Sequence, residues 1–291
     1  MSLVLGSVVL GILSGGIYAL MAVGLTLSFG VLEVVNIAQG MFVIAAAYLS
    51  YALQRYWHID PLLGLVITIP VMFLLGLVVE WSFIRRLKQD RVMLSILVSW
   101  AVALILEGVV GLIFADDFRS IHSWYVTATV PVFGLYVPDI YLIGFALAVV
   151  LMGLVYLLVY RSRFGAALRA MVQNREAAAL LGIDVQRIST LTFAIATGLT
   201  AAGGMLFGAI QAFNADSNLD LISRLLIIVI LGGMGSMGGA LVASVGLLVA
   251  VNIIAVTWTP NWSTFFFFGI TILVLVFRPQ GFFGAPAARK V

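Results

Sequence analysis

Cysteine is absent from this chain, and only two of its 291 residues are histidine. No disulfide or thiolate metal site is therefore possible. His58 and His122 lie in separate polar stretches, which argues against a His-based metal or haem site as well. Charge is scarce too: Asp, Glu, Lys and Arg make up 9% of the chain against 63% hydrophobic residues, and mean hydropathy is +1.20. That composition excludes a soluble globule and points to a polytopic helical membrane protein. Short segments of alternating polarity are missing, which speaks against a β-barrel. The net charge of +3 is no nucleic-acid footprint, because the basic residues flank apolar runs. The glycine-dense stretch LGGMGSMGGALVASVGL lacks the lysine and Ser/Thr of a nucleotide-binding P-loop. No Ser-His-Asp arrangement suggests itself, so the chain reads as a non-enzyme that binds no cofactor of its own.

What is there is a series of apolar runs. MSLVLGSVVL has no basic n-region and reads as the start of a retained span rather than a cleaved signal. Spans are expected at 3–27, 41–53, 62–84, 92–115, 140–160, 188–210 and 265–277. Between the last two, residues 221–256 read as a half-span, a tight glycine break and a full helix packing through Gly239 and Ala243. The expectation is an all-α fold of eight or nine hydrophobic segments, one or two of them broken or re-entrant, in a single domain over 1–291. Residues 116–139 read as an extracytoplasmic loop with a small hairpin, which with its acids and aromatics could dock a soluble partner or merely cap the fold. Residues 211–220 read as a second outward loop. Basic clusters at 85–91, at 161–187 and at the C-terminus must share one side, which the positive-inside rule makes cytoplasmic. Parity then places the N-terminus outside and the C-terminus inside.

Two stretches carry candidate function. Residues 161–187 hold five of the fifteen basic residues and only two acids, Glu176 and Asp184. Within them Asn174 is an N-cap, 175–181 is rich in Ala and Leu, Gly182 supplies a left-handed stop and Asp184 caps the segment beyond it. Seven residues make a helix about 10 Å long, marginal alone in water, so something must hold it. A connector that merely fixes topology would be more soluble than Ala177, Ala178, Ala179, Leu180 and Leu181 make this one. The other stretch, residues 28–40, sets Glu33, Asn36 and Gln39 between two apolar runs, as a helix broken at membrane depth would. Glu107, inside the run ALILEGVVGLIF, either lines a pathway or makes a hydrogen bond to a neighbouring helix. Asn252 reads as an interhelical hydrogen bond, and Arg224 as a side chain snorkelling to a membrane face.

QNREAAALLGID closely resembles the cytoplasmic coupling loop of ATP-binding cassette (ABC) importer permeases of the branched-chain amino acid family. TFAIATGLTAAGGMLFG, GLTLSFGVLEVVNIAQG, LGGMGSMGGALVASVGL and FRPQGFFG extend the resemblance over nearly the whole chain. There are departures. IRRLKQDR lacks the family's proline, Gln39 stands where relatives commonly have histidine, and Glu107 where they often have glutamine. The resemblance implies the shorter of two permease subunits of a bacterial importer in the cytoplasmic membrane. It implies as partners a second, related permease, two ATPase subunits and a periplasmic or extracellular binding protein. It implies alternating access driven from outside this chain, with Asn174, Arg175, Glu176, Ala178, Leu181 and Gly182 coupling to the ATPases. Glu33, Asn36, Gln39, Glu107 and Asn252 become pathway or gating residues. The competing reading is a self-sufficient channel or ion-coupled carrier using Glu33 and Glu107 as ion sites.

Overall fold

The computed structural model describes residues 2–32, 34–87, 91–132, 134–278 and 281–283. Nine apolar helices correspond one to one to the expected segments: α1 (Ser2–Leu32), α2 (Gln39–Trp57), α3 (Pro61–Ser82), α4 (Arg91–Phe114), α6 (Asp139–Arg161), α9 (Val185–Ile210), α10 (Ser217–Gly232), α11 (Met237–Thr257) and α12 (Pro260–Phe277). Six of them (α1, α3, α4, α6, α9 and α11) are long and apolar enough to cross a membrane. The chain is a multi-pass helical membrane protein. The described residues also hold three short α-helices, α5 (Trp124–Thr127), α7 (Arg163–Gln173) and α8 (Arg175–Leu180), and a 3-10 turn at Ile84–Arg86.

The core sits around α1 and α9, whose apolar windows are 67% and 83% buried, against 22% for α4 and for α6. Composition explains the difference. The run Phe193–Ala194, Ala196–Gly198 and Thr200–Gly204 of α9 is almost all small and fully enclosed, so neighbouring backbones approach closely. The outer helices instead show large apolar side chains such as Leu112, Ile113, Val150 and Leu154, as lipid-facing helices do.

The two ends of the bundle differ. At one end the expected hairpin is present: β1 (Thr129–Val132) pairs antiparallel with β2 (Leu135–Pro138), Thr129 opposite Pro138. Asp60, the N-cap of α3, accepts from Leu62 N at 2.9 Å, from the Tyr125 hydroxyl at 3.1 Å and from Ser123 Oγ at 3.3 Å, tying the loop to the bundle. Burial pushes the Tyr125 phenol above its ordinary value, so it remains the donor at neutral pH. The other end carries α7 and α8. There Arg85 donates to Gln186 Oε1 at 2.6 Å, and the tail returns as Phe282 N donates to Leu231 O at 2.7 Å. Arg85 and the α7–α8 stretch thus share this end, while Lys88, Arg289 and Lys290 of the expected basic clusters lie outside the described residues.

Residues 211–220 differ from the expected outward loop. Phe213, Asn214 and Ala215 are buried, and Phe213 exchanges both backbone hydrogen bonds with Arg119 at 2.8 Å. Phe213 also packs edge-on against Tyr48, which stacks on Phe114. The segment turns inward because its apolar residues have a buried partner surface and its Asn and Ser close their own turn. Asn214 Oδ1 accepts from Ser217 N at 3.1 Å, and Ser217 Oγ accepts from Asn214 N at 3.1 Å.

Candidate functional sites: a broken helix entry and a capped surface helix

Residues 34–36 leave the helix and run along α4, and 37–38 turn into α2, which begins at Gln39. Non-helical backbone inside an apolar bundle needs partners for its amides. Two serines of α4 supply them. Val35 N donates to Ser95 Oγ at 3.2 Å and Ile37 N to Ser99 Oγ at 3.1 Å, while Ser99 Oγ donates to Val35 O at 3.2 Å. Both serines are fully buried. The break brings Asn36 and Gln39 together: Asn36 Nδ2 donates to Gln39 Oε1 at 3.3 Å, and Gln39 Nε2 to Met21 O at 3.4 Å. Asn36 Oδ1 is buried with no hydrogen-bond partner among the described residues. Glu33 lies outside the described residues.

Glu107 Oε2 accepts from Asn218 Nδ2 at 2.7 Å, joining α4 to the first turn of α10. Of the two roles open to Glu107, the helix–helix hydrogen bond is the one with a visible partner. Asn252 is a correction: its Nδ2 donates to Leu248 O of its own helix at 2.8 Å, not to a neighbour. Its side chain instead lines a cavity of about 170 Å³ with Ser14, Tyr18 and Tyr141. Arg224 has a partner on its own helix. It donates through Nε to Asp220 at 2.8 Å, its guanidinium over the Phe267 ring. Downstream, α10 ends where Gly233 and Gly235 take φ of 90° and 89°, Ser236 Oγ caps Gly239 N at 3.0 Å, and Gly239 packs against Gly232 as expected.

The basic end is more ordered than a loop. Ser162 Oγ accepts from Gly165 N at 2.9 Å and starts α7, which buries Gly165, Leu168 and Met171 at three-residue spacing. Any Cβ on Gly165 would collide with the carbonyl oxygens of Leu158 and Val159, so only glycine lets α7 fold back on α6. Arg169 donates to Val159 O and lies over the Tyr160 ring, which fixes the other side. Sequence reasoning missed α7, although its serine cap and apolar spacing were legible.

The helix expected at 175–181 is α8, one residue shorter. Asn174 Oδ1 accepts from Ala177 N at 2.9 Å, and Asp184 Oδ1 accepts from Arg187 N at 2.9 Å to start α9. Gly182, at φ 83°, ends α8 in the left-handed region, its N–H donating to Ala179 O at 3.0 Å. Ala178 is 2% exposed, packed within this chain, so it offers no surface to a partner. Leu180 and Leu181 are 89% and 81% exposed and Glu176 is exposed too, while Arg175 Nη2 reaches Ser189 Oγ at 3.5 Å. Glu80, at the adjoining end of α3, is buried and accepts from Thr190 Oγ1 at 2.5 Å, linking α3 to α9 beneath α8. Its role was not foreseen; a lone acid closing an apolar run was the only signal.

The profile of the family described as the branched-chain amino acid transport system, permease component, matches residues 7–275. The chain belongs to this family. It is 29% identical to the probable branched-chain amino acid transport permease protein LivH of Methanocaldococcus jannaschii, over 94% of this chain and 90% of that one. It is 27% identical to the high-affinity branched-chain amino acid transport system permease protein BraD of Pseudomonas aeruginosa, over 97% and 96%. The probable LivM permease of M. jannaschii is 26% identical over 83% of this chain and 75% of its own. No solved structure matches. The permease thus resembles both named kinds of subunit, and matches the LivH and BraD relatives over more of its length.

Proposed function

We propose that this permease is the LivH-like subunit of an ATP-driven importer for branched-chain or related amino acids, forming half of an alternating-access pathway. It sits in the bacterial cytoplasmic membrane with α7, α8 and the C-terminus on the cytoplasmic side. A second, related permease completes the pathway, two ATPase subunits supply the energy, and a periplasmic or extracellular binding protein delivers solute at the hairpin end. The observation that carries this reading is α8: a helix of six residues, capped at both ends, that presents Leu180 and Leu181 to solvent. So short a helix gains from a cleft to sit in, and burying each leucine there contributes about 1.5–3 kcal/mol. Closure of the ATPases would pull on α8 and reach the bundle through α7 and α9.

The experiment is co-purification of the ATPases with Leu180→Asp/Leu181→Asp. The expected outcome is a variant that inserts and pairs with its sister permease, loses the ATPases and takes up no leucine. Full retention of the ATPases with normal uptake would make α8 a mere connector. Leucine uptake by the isolated permease in liposomes under an ion gradient would establish the carrier reading instead.

A further inference from the structure

The polar stripe of α10 is unexplained by coupling. Its depth follows from three contacts. A Cβ on Gly24 would lie 2.5 Å from Gln39 Nε2 and 2.8 Å from Ala196 O, so the start of α2 is level with Ala196 of α9. Ala196 lies about 16 Å along α9 from its first residue and about 21 Å from its last. A Cβ on Gly40 would in turn lie 2.8 Å from Asn218 O and from Ile222 Cβ. Asn218 and Ile222 are therefore level with the start of α2, inside the bundle, whereas Phe213, three residues before Asp216, bridges Arg119 of the 116–139 loop.

From that loop end inward, Asp216, Asp220 and Arg224 follow one another at i, i+4 and i+8, on one face of α10. Asp216 is exposed, and the side chains of Asp220 and Arg224 are 58% and 23% exposed. Ionised groups turned toward hydrocarbon at mid-depth are costly; such residues face a bundle interior or a wet cavity. The guanidinium is held from behind by the buried Phe267 ring, and Tyr18 lies within electrostatic reach of both members of the pair. Asp216 makes no side-chain hydrogen bond at the cap of α10 and no ion pair among the described residues. The stripe thus offers one uncommitted carboxylate about 6 Å along the helix from a carboxylate–guanidinium pair.

We propose that this face of α10 lines the solute path of the permease and recognises the charged head group of a zwitterionic amino acid. Asp216 and Asp220 meet the α-ammonium, and Arg224 meets the α-carboxylate. A simple cation would leave the arginine unanswered, and a neutral amide would leave both signs so. The inference rests on the importer reading and deepens it.

Leucine uptake by the assembled complex, with its binding protein, tests it. Asp220→Arg and Arg224→Asp should each abolish uptake. The double variant Asp220→Arg/Arg224→Asp restores the ion pair with its polarity reversed. It should recover pairing with the sister permease and the ATPases while uptake stays below a tenth of wild type. Asp216→Asn, which breaks no contact in the fold, should lower uptake at least tenfold with assembly intact. Wild-type uptake by the double variant would show that the pair only braces the helix, and normal uptake by Asp216→Asn would overturn the proposal whether or not the double variant assembles. A wild-type complex that imports no amino acid refutes the importer reading itself. An importing wild type with indifferent variants refutes this inference alone.

Discussion

Helices α8 and α10 are both shorter than a span, and each shows its surroundings the wrong kind of side chain. At the basic end α8 turns Leu180 and Leu181 to solvent, whereas α10 turns Asp216 and Asp220 outward as it enters the bundle. Neither arrangement is stable by itself against water or hydrocarbon. The two mismatches have opposite chemistry because they await different things: an apolar cleft for α8, water and a charged solute for α10. A span such as α6, with exposed Val149, Val150 and Leu154, shows no such conflict and needs only lipid.

The comparison breaks first if the inner face of α8 is not its own structural face. Ala178 is enclosed by this chain, so Ala178→Asp places a carboxylate where it has no partner. An uncompensated buried charge costs about 3–5 kcal/mol, enough to unfold α8 locally. Limited proteolysis should then cut within 174–184 in Ala178→Asp but not in Leu180→Asp, although both lose the ATPases. Equal resistance in the two would mean that the inner and outer faces of α8 are not distinct.

Ser99→Ala tests the other half of the comparison, with a smaller effect. It leaves Ile37 N without an acceptor and Val35 O without a donor beside the mid-depth break. An unsatisfied buried group costs about 1–3 kcal/mol. The expected outcome is a lower melting temperature of the purified permease and partial loss of uptake. Ser99→Thr, which keeps the hydroxyl, should recover most of both. An unchanged melting temperature in Ser99→Ala would mean that the non-helical segment does not depend on α4.

Much of this was legible in the sequence, for identifiable reasons. Asn174, Gly182 and Asp184 act through local backbone geometry, so their caps could be read from neighbours three or four residues away. The break at 34–38 was legible because polar residues interrupted two apolar runs. What stayed hidden depends on contacts far along the chain. The serines that satisfy the break lie some sixty residues away, and Asn218 meets Glu107 across 111. Residues 211–220 read as an outward loop because their polar side chains signal water, yet those of Asn214 and Ser217 satisfy one another. Ala178 read as a docking residue because a short Ala-rich helix does not disclose which side its own chain covers.

The smallest effect is expected where α4 meets α10. Glu107 Oε2 accepts from Asn218 Nδ2, and Glu107→Gln keeps a carbonyl acceptor at that place while adding a donor. If the bond braces the start of α10, the variant should assemble and import within about fivefold of wild type, as the loss of charge assistance alone is worth about 1 kcal/mol. Glu107→Leu removes the acceptor and leaves the Asn218 amide with only Ala215 O, so it should cost more stability than Glu107→Gln. Uptake at several pH values separates this from an ion-binding role. A brace predicts that wild type and Glu107→Gln share one pH profile. An assembled Glu107→Gln complex without uptake, or with a displaced profile, would place Glu107 among the groups that meet the solute, alongside the stripe on α10.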